Sequence, residues 1–482
     1  MKLSKLFYIS VYVLLLIGTL HSPAQSGHYW TQQYGTRSML LSGSVIGGVN
    51  DLGAVYYNPA RLSQISNPAF LLSADVYEWN NLKVEDAFGN NKNASKSDFG
   101  GVPSLAAGTF KISFLKNHYF AWAILLRQNM DLGISYKNEV HEDVIENFPG
   151  TEYFGAEISI SLKGKEEWMG LSWAYPLNDK LSIGASGYLS VVNASRGNII
   201  NLQALTESNQ VASYRFNKNY SYNTYNLLFK TGLSYQSEKI LIGLTFLTSS
   251  IRLKGEGNFQ HEFIWSGIEG YSVEPDAYTT SYQNKLETKY KNPWSVGAGL
   301  TYFIGKSKLH LSTEWYSAIP KYTIMEATNY ISQSTGEPDT FRLVDQSKSV
   351  INAGVGVEIF LNEKIAFFSS FSTDFSAVVN DVTAFVENKP EASNSAFKSN
   401  FYNYGGGFVL DLKGADVTLG ATYTGAKFKV PRPFNFPEDS EDDIFDPDDF
   451  VEVKWNRWRI VFSFSLPFLK DFEKKAEEKL GF

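Results

Sequence analysis

Along most of the chain, apolar and polar residues alternate one by one, the period of an extended strand with two unlike faces. Near the end, Trp458, Ile460, Phe462, Phe464 and Leu466 fall on one face, and Arg457, Arg459, Val461, Ser463 and Ser465 on the other. The stretch from Trp294 repeats the arrangement, with Val296, Ala298, Leu300 and Tyr302 opposite Ser295, Gly297, Gly299 and Thr301. So does the next, with Leu309, Leu311, Thr313 and Trp315 opposite His310, Ser312 and Glu314. The pattern predicts about fourteen strands, near 68–79, 103–115, 118–138, 154–175, 180–201, 219–236, 239–254, 284–304, 308–325, 344–361, 364–379, 398–411, 415–428 and 453–467. A soluble sandwich alternates too, so the period alone does not separate a sandwich from a membrane barrel.

The lengths of the connections do. Short ones fall at 116–117, 176–179, 237–238, 305–307, 362–363 and 413–414, and long ones at 80–102, 139–153, 202–218, 255–283, 326–343, 380–397 and 429–452. Strict alternation of short and long is the habit of an outer-membrane barrel, with short periplasmic turns and long external loops. Greek-key sandwiches have no reason for it. The expected fold class is therefore all-β: a transmembrane antiparallel up-and-down β-barrel of about 14 strands, with both termini periplasmic.

The N-terminus agrees with that destination. Lys2 and Lys5 precede an apolar run, Leu6 to Leu20, and the small-residue exit Ser22-Pro23-Ala24, so 1–24 reads as a signal peptide. After Ala24 no run of about 18 apolar residues occurs, so an integral protein would have to be a barrel. The tail, 469–482, reads as an amphipathic helix with Leu469, Phe472, Ala476 and Leu480 in one stripe, capping the periplasmic mouth or docking a partner. The expected organisation is 1–24 signal peptide, 25–66 N-terminal hatch, 67–468 barrel and 469–482 periplasmic helix.

Composition narrows the chemistry. A chain of 482 residues is long for one compact soluble core, and 15% of it is aromatic, which suits a boundary between lipid and water. There is no cysteine, which excludes disulfides, thiolate metal sites, a cysteine nucleophile and lipid attachment through cysteine. A net charge of −7 leaves no footprint for nucleic acid. The six histidines are scattered, and neither G-x-S-x-G nor H-E-x-x-H occurs. His310 and Ser312 share a strand face, but a polar lumen explains them as well. No catalytic residue, metal site or cofactor is expected.

Before the first strand lies Gly47-Gly48-Val49-Asn50-Asp51-Leu52-Gly53-Ala54-Val55-Tyr56-Tyr57-Asn58-Pro59-Ala60-Arg61-Leu62. It resembles the N-terminal hatch of the long-chain fatty-acid transporter family, the FadL/TodX-type outer-membrane channels, with Arg61 where Gly is usual. The resemblance implies a hatch carrying Gly47, Gly48, Asn58, Pro59 and Ala60 that fills the lumen, and a passive channel for hydrophobic compounds such as long-chain fatty acids. It also implies a Gram-negative outer-membrane location among lipid and lipopolysaccharide. The glycine pair would supply positive φ, and Asn58-Pro59 an extended-to-turn geometry.

Strand parity puts Asp75, Arg127, Lys230, Glu314, Glu358, Asp374, Arg457 and Arg459 on the inner face, to brace the wall against the plug or to line a polar path. The loop 255–283 carries Phe259, Phe263, Ile264 and Trp265, a candidate ligand entrance. The acidic loop 437–452 is solvated or holds a divalent ion. A second reading makes the barrel a non-transporting subunit of an outer-membrane secretion or assembly complex, with other outer-membrane or periplasmic proteins as partners.

Overall fold

The computed structural model describes residues 27–65, 70–72, 76–101, 104–145, 148–267, 276–379, 390–395, 398–412, 415–432, 434–438 and 450–465. The expected signal peptide, Asp75, the tail helix and most of the acidic loop lie outside them. The chain opens with an irregular segment holding the short helices α1 (Thr36–Leu40) and α2 (Ala54–Tyr57) and a 3-10 helix, Pro59–Gln64. Strands follow: β1 (Phe70–Leu72), β2 (Val76–Val84), β3 (Ala94–Gly101), β4 (Leu105–Phe110), β5 (Tyr119–Glu142), β6 (Glu152–Pro176), β7 (Leu181–Thr206) and β8 (Val211–Gln236). Next come β9 (Ile240–Leu247), β10 (Ile251–Ser266), β11 (Ala277–Glu287), β12 (Ser295–Ile304), β13 (Ser307–Tyr316), β14 (Ile319–Glu326), β15 (Tyr330–Ile331) and β16 (Pro338–Asp339). The rest are β17 (Arg342–Ser347), β18 (Val350–Phe360), β19 (Ile365–Asp374), β20 (Glu391–Ser393), β21 (Phe401–Leu412), β22 (Ala415–Pro431) and β23 (Phe450–Ser465).

Eighteen of these strands form one large sheet. Within it, neighbouring strands pair antiparallel. Leu105 of β4 faces Leu125 of β5, and Tyr119 of β5 faces Ala174 of β6. The last strand turns back onto the second, with Trp458 of β23 opposite Trp79 of β2. β14, β17 and β20 make a separate small sheet, in which β17 and β20 run parallel.

The sheet wears its apolar side outward. In β9, Ile242, Leu244 and Phe246 are each more than 40% exposed, while the alternate Thr245 is buried. In β23, Trp458, Ile460 and Phe462 are exposed and Arg457 and Arg459 are buried. In β13, Leu311 is exposed while His310, Ser312 and Glu314 are buried. A water-soluble sandwich has the opposite polarity, because burial of apolar area drives its folding.

Several expected loops are strand. β10 and β11 pair through most of 255–283, from Glu256↔Glu287 to Trp265↔Ala277. β7 and β8 leave only 207–210 of the expected 202–218 loop, and β3 lies inside the expected 80–102 loop. The cause is a change of polarity along each strand. In β6, Met169 and Leu171 point outward, but further along the outer positions hold Lys163, Lys165 and Glu157. There the inner positions become apolar: Phe154, Ala156, Ile158, Ile160 and Leu162 join one core cluster. Where the outer positions turn polar the inner ones turn apolar, so the alternation persists with its sign reversed.

Candidate functional site

The segment Gly27–Gln64 packs on the inner face of the sheet, joined to strands from both halves of it. Asn58 is its central fastening. Its backbone is extended, with φ −158°, and its Oδ1 accepts from Ala60 N at 3.1 Å, capping the 3-10 helix. Its Nδ2 donates to Ile46 O within the segment and to Leu233 O on β8, both at 3.1 Å. Pro59 follows as the first residue of that helix, where no N–H is needed. Ala60 is fully buried, and its carbonyl accepts from Ser182 Oγ of β7 at 3.1 Å. A side chain on Gly184 would strike the Pro59 carbonyl carbon at 2.5 Å.

The glycine pair works differently from the expectation. Neither Gly47 nor Gly48 has positive φ among the residues that do. They are needed for approach: a Cβ on Gly47 would lie 2.7 Å from the Gly299 carbonyl carbon, and one on Gly48 2.9 Å from Thr301 Cβ. Backbone lies against the wall where no side chain fits. Arg61, the departure from the resembled motif, donates through Nε to Val49 O at 3.3 Å and through Nη1 to Gln236 Oε1 of β8 at 3.2 Å. Burial lowers its pKa to about 10, still charged at neutral pH.

The inner-face charges meet this segment. Arg457 donates to Thr31 O at 2.6 Å, and Arg459 to Gln33 Oε1 and Glu78 Oε2, both at 2.9 Å. Asp374 accepts from Tyr29 N at 2.9 Å and from Thr31 Oγ1, beside the His28 ring at 3.6 Å. Lys230 and Glu314 stand 3.7 Å apart, and Glu314 also accepts from Trp30 Nε1, Ser295 Oγ and Tyr316 OH. Arg127 donates to Tyr29 O and Tyr34 OH and lies 5.1 Å from the ring centres of Tyr56 and Trp168. Glu358 is different: its partners, Lys308 at 2.8 Å and His310 at 3.8 Å, are all on the wall. Glu78, Trp168, Glu166, which accepts from Trp168 Nε1 at 2.7 Å, and Asn352, which donates to Asp374 Oδ1 at 3.3 Å, were not foreseen. In β2 the inward position is Glu78, with Tyr77 and Trp79 outward. The pairing of Glu78 with Arg459 across β2 and β23 is the register neighbour that a first-to-last strand pairing would have found.

Beyond the segment, the inner face holds a partly open hollow of about 690 Å³, a volume that counts the solvent at its mouth. His28, Thr31 and Gln32 form its floor, with residues 127–130 of β5, 162–165 of β6, 194–196 of β7, and the rings of Tyr220, Tyr222 and Tyr290 around it. His28 Nε2 and Arg127 Nε carry no hydrogen bond among the described residues. A second hollow of about 530 Å³ lies between β3 and β5, lined by Lys96 and Asp98 on one side and residues 129–132 on the other. Asn129 and Met130 line both. Here the wall is split: β4 pairs with β5 only as far as Leu105↔Leu125, β3 pairs with β2, and the outer part of β5 pairs with β6.

The expected entrance is corrected. Phe259 is fully buried, its ring 4.6 Å from Phe341 in the core beside β17. Phe263 and Trp265 lie on β10 against Tyr214 at 5.8 and 5.5 Å, and Ile264 pairs with Tyr278. None of the four lines either hollow. The aromatic run looked like an exposed patch because its polar neighbours were assigned to a loop; pairing makes it the inner face of a hairpin.

No protein-family model and no curated protein matches the chain. Solved structures do. A Pseudomonas aeruginosa FadL homologue superposes with a TM-score of 0.54 at 10% identity, covering 91% of this chain and 99% of that one. The Pseudomonas putida toluene transporter TodX gives 0.52 at 14%, covering 90% and 98%. The CymD monoaromatic hydrocarbon channel gives 0.50 at 12%, covering 90% and 97%. The chain has the fold of the FadL-type channels, as the Asn58-Pro59-Ala60 segment led us to expect.

Proposed function

We propose that this protein is a passive outer-membrane channel for hydrophobic compounds. In this reading the ladders of the large sheet form a closed barrel of fourteen spans, with β1–β2, β3–β4, β9–β10 and β11–β12 each counted as one broken strand and the separate sheet of β14, β17 and β20 not counted among them. Gly27–Gln64 is its hatch. The exposed apolar belt faces lipid, the strand ends beyond it stand among lipopolysaccharide, and both termini are periplasmic. The observation that carries the reading is the pair of adjoining hollows, one on the inner face above the hatch and one at a split in the wall beside it. A soluble protein gains nothing from an opening of that kind. A channel gains a side exit from the lumen that leaves the hatch in place.

Within this reading the ligands include long-chain fatty acids. Arg127 and His28 line the hollow, and their Nε and Nε2 are buried without a hydrogen-bond partner among the described residues; a carboxylate that reached them would make a strong charge-assisted hydrogen bond. The solved structures of similar fold include a monoaromatic hydrocarbon channel and a toluene transporter, which supports transport over catalysis. No observation favours the scaffold reading. The test is uptake of radiolabelled palmitate and of toluene at low concentration by cells with and without the gene. Faster uptake with the gene supports the channel. Equal uptake, with outer-membrane protein assembly or secretion impaired in the deletion, replaces it with the scaffold.

A further inference from the structure

We infer that the hollow above the hatch is a binding site for aromatic carboxylates, with Arg127 as their counter-ion and the rings of Tyr220, Tyr222 and Tyr290 as their platform. The inference adds a ligand class to the channel reading and rests on that reading for its purpose, though not for its binding test. It starts from a buried charge. Lys230, Lys308, Arg457 and Arg459 of the inner face each stand within 4.0 Å of a carboxylate. Arg127 is as deeply buried, and no carboxylate among the described residues stands that close to it. What holds it is two ring faces, those of Tyr56 and Trp168, with the carbonyl of Tyr29 at 3.4 Å and the hydroxyl of Tyr34 at 3.3 Å. Glu166 on the neighbouring strand is committed elsewhere, accepting from Trp168 Nε1, Ser190 Oγ and Asn292 Nδ2. Rings and neutral oxygens carry only partial negative charge, and a buried cation without an anion is costly. Its Nε, which has no hydrogen-bond partner among the described residues, belongs to a side chain that lines the hollow, as does His28 with its unpartnered Nε2.

The rest of the lining selects the shape of the anion. Arg196 borders the hollow as well, and no Asp or Glu among the described residues does. A cleft with one sign of charge and walls of low dielectric concentrates the opposite ion, so this one draws anions. Tyr220, Tyr222 and Tyr290 are buried rings, and Tyr222 is fixed by the hydrogen bond from its OH to Asn394 Oδ1 at 2.9 Å. An aromatic ring placed flat or edge-on against them gains an electrostatic attraction that a saturated ring of the same area lacks. Met130, Leu162 and Val192 share the surface with Gln32, Asn129 and Asn394, which suits a compact ring carrying one charged end.

The test is equilibrium dialysis of radiolabelled benzoate against the purified protein in phospholipid nanodiscs at neutral pH, where the acid is ionised, with empty nanodiscs as the blank. Saturable binding above the blank is expected. Methyl benzoate, which has the same ring and no charge, should compete at least tenfold less well. Cyclohexanecarboxylate, which has the charge and no aromatic face, should compete about threefold less well. Arg127→Gln should lower the affinity for benzoate at least tenfold while the heat stability of the strands is kept, and Arg127→Lys should recover part of the loss. No saturable binding by the parent, or an ester that competes as well as the acid, overturns the site. Equal competition by cyclohexanecarboxylate overturns the aromatic class. The ligand comparisons use the parent protein, so they decide the matter even where Arg127→Gln does not fold. Uptake of palmitate and toluene tests the channel separately: if neither is taken up and benzoate still binds, the channel reading fails and the binding site stands.

Discussion

Asn58 does the work of three contacts with one amide. It caps a helix, closes the segment on itself and ties it to β8, all without access to water. Removing it leaves the Ala60 N–H, the Ile46 carbonyl and the Leu233 carbonyl without that partner. Each buried group so orphaned costs about 1–3 kcal/mol. Asn58→Ala should therefore loosen the N-terminal segment by several kcal/mol in all, less what entering water recovers, while the sheet persists. Limited proteolysis in mild detergent would show it: cleavage within 40–65 should speed up by at least tenfold, with the heat stability of the strands little changed. Asn58→Asp is a harsher replacement for its size, since it removes both donors and places a charge against two carbonyls. The neighbouring glycines obey a different requirement, as neither needs an unusual backbone; each is glycine because the wall is too near.

At the scale of elements, the small sheet of β14, β17 and β20 carries a pH dependence of its own. It stands apart from the large sheet, and Asp345 sits on β17 with its carboxylate buried. Tyr322 OH donates to it at 3.3 Å and Gln346 N at 2.9 Å, and no lysine or arginine among the described residues comes within ion-pair distance. Burial raises its pKa to about 6. The folded pKa lies above the unfolded value of about 3.9, so the folded form binds the proton more tightly. The stability this gives is complete below about pH 4 and is lost as the pH rises through about 6. Above that, the sheet bears a cost on the order of 1–3 kcal/mol. Hydrogen exchange of 342–347, corrected for its intrinsic rate, should slow between pH 7 and pH 5. Asp345→Asn, which keeps an acceptor and carries no charge, should remove that dependence. A pH dependence unchanged in the variant would mean another group is responsible.

For the whole molecule, the decisive feature is what occupies the inner face. Arg127, Arg457 and Arg459 are bound to backbone carbonyls or side chains of Gly27–Gln64, so the segment neutralises a ring of inner polar groups as well as filling space. Deleting 27–64 should leave the strands paired, because their ladders do not involve it, and should expose those groups to water. Passive leakage of small polar solutes through cells or vesicles should rise well above that of the parent. Unchanged leakage in a correctly inserted deletion would mean that the segment does not close the path.

Sequence alone determined the period. A residue's side of a strand follows from counting, so the exposed Trp458, Ile460 and Phe462 and the buried Arg457 and Arg459 were readable before any coordinates. The Gly-rich run ending in Asn58-Pro59-Ala60 was readable too, because close approach and a fixed turn admit few residue types. Strand ends were not. Where β6 leaves the apolar belt its outer residues turn polar, and a local rule that looks for an apolar outer face stops there, although hydrogen-bonded pairing continues to Glu152. Phe259 was misassigned for the same reason. The split beside β5 lay beyond any local pattern. It depends on which strand edge finds a partner, and that is settled by residues distant in sequence meeting across the sheet. Lys96 and Asp131 are 35 positions apart and become neighbours only when β3 pairs with β2 while β5 pairs with β6.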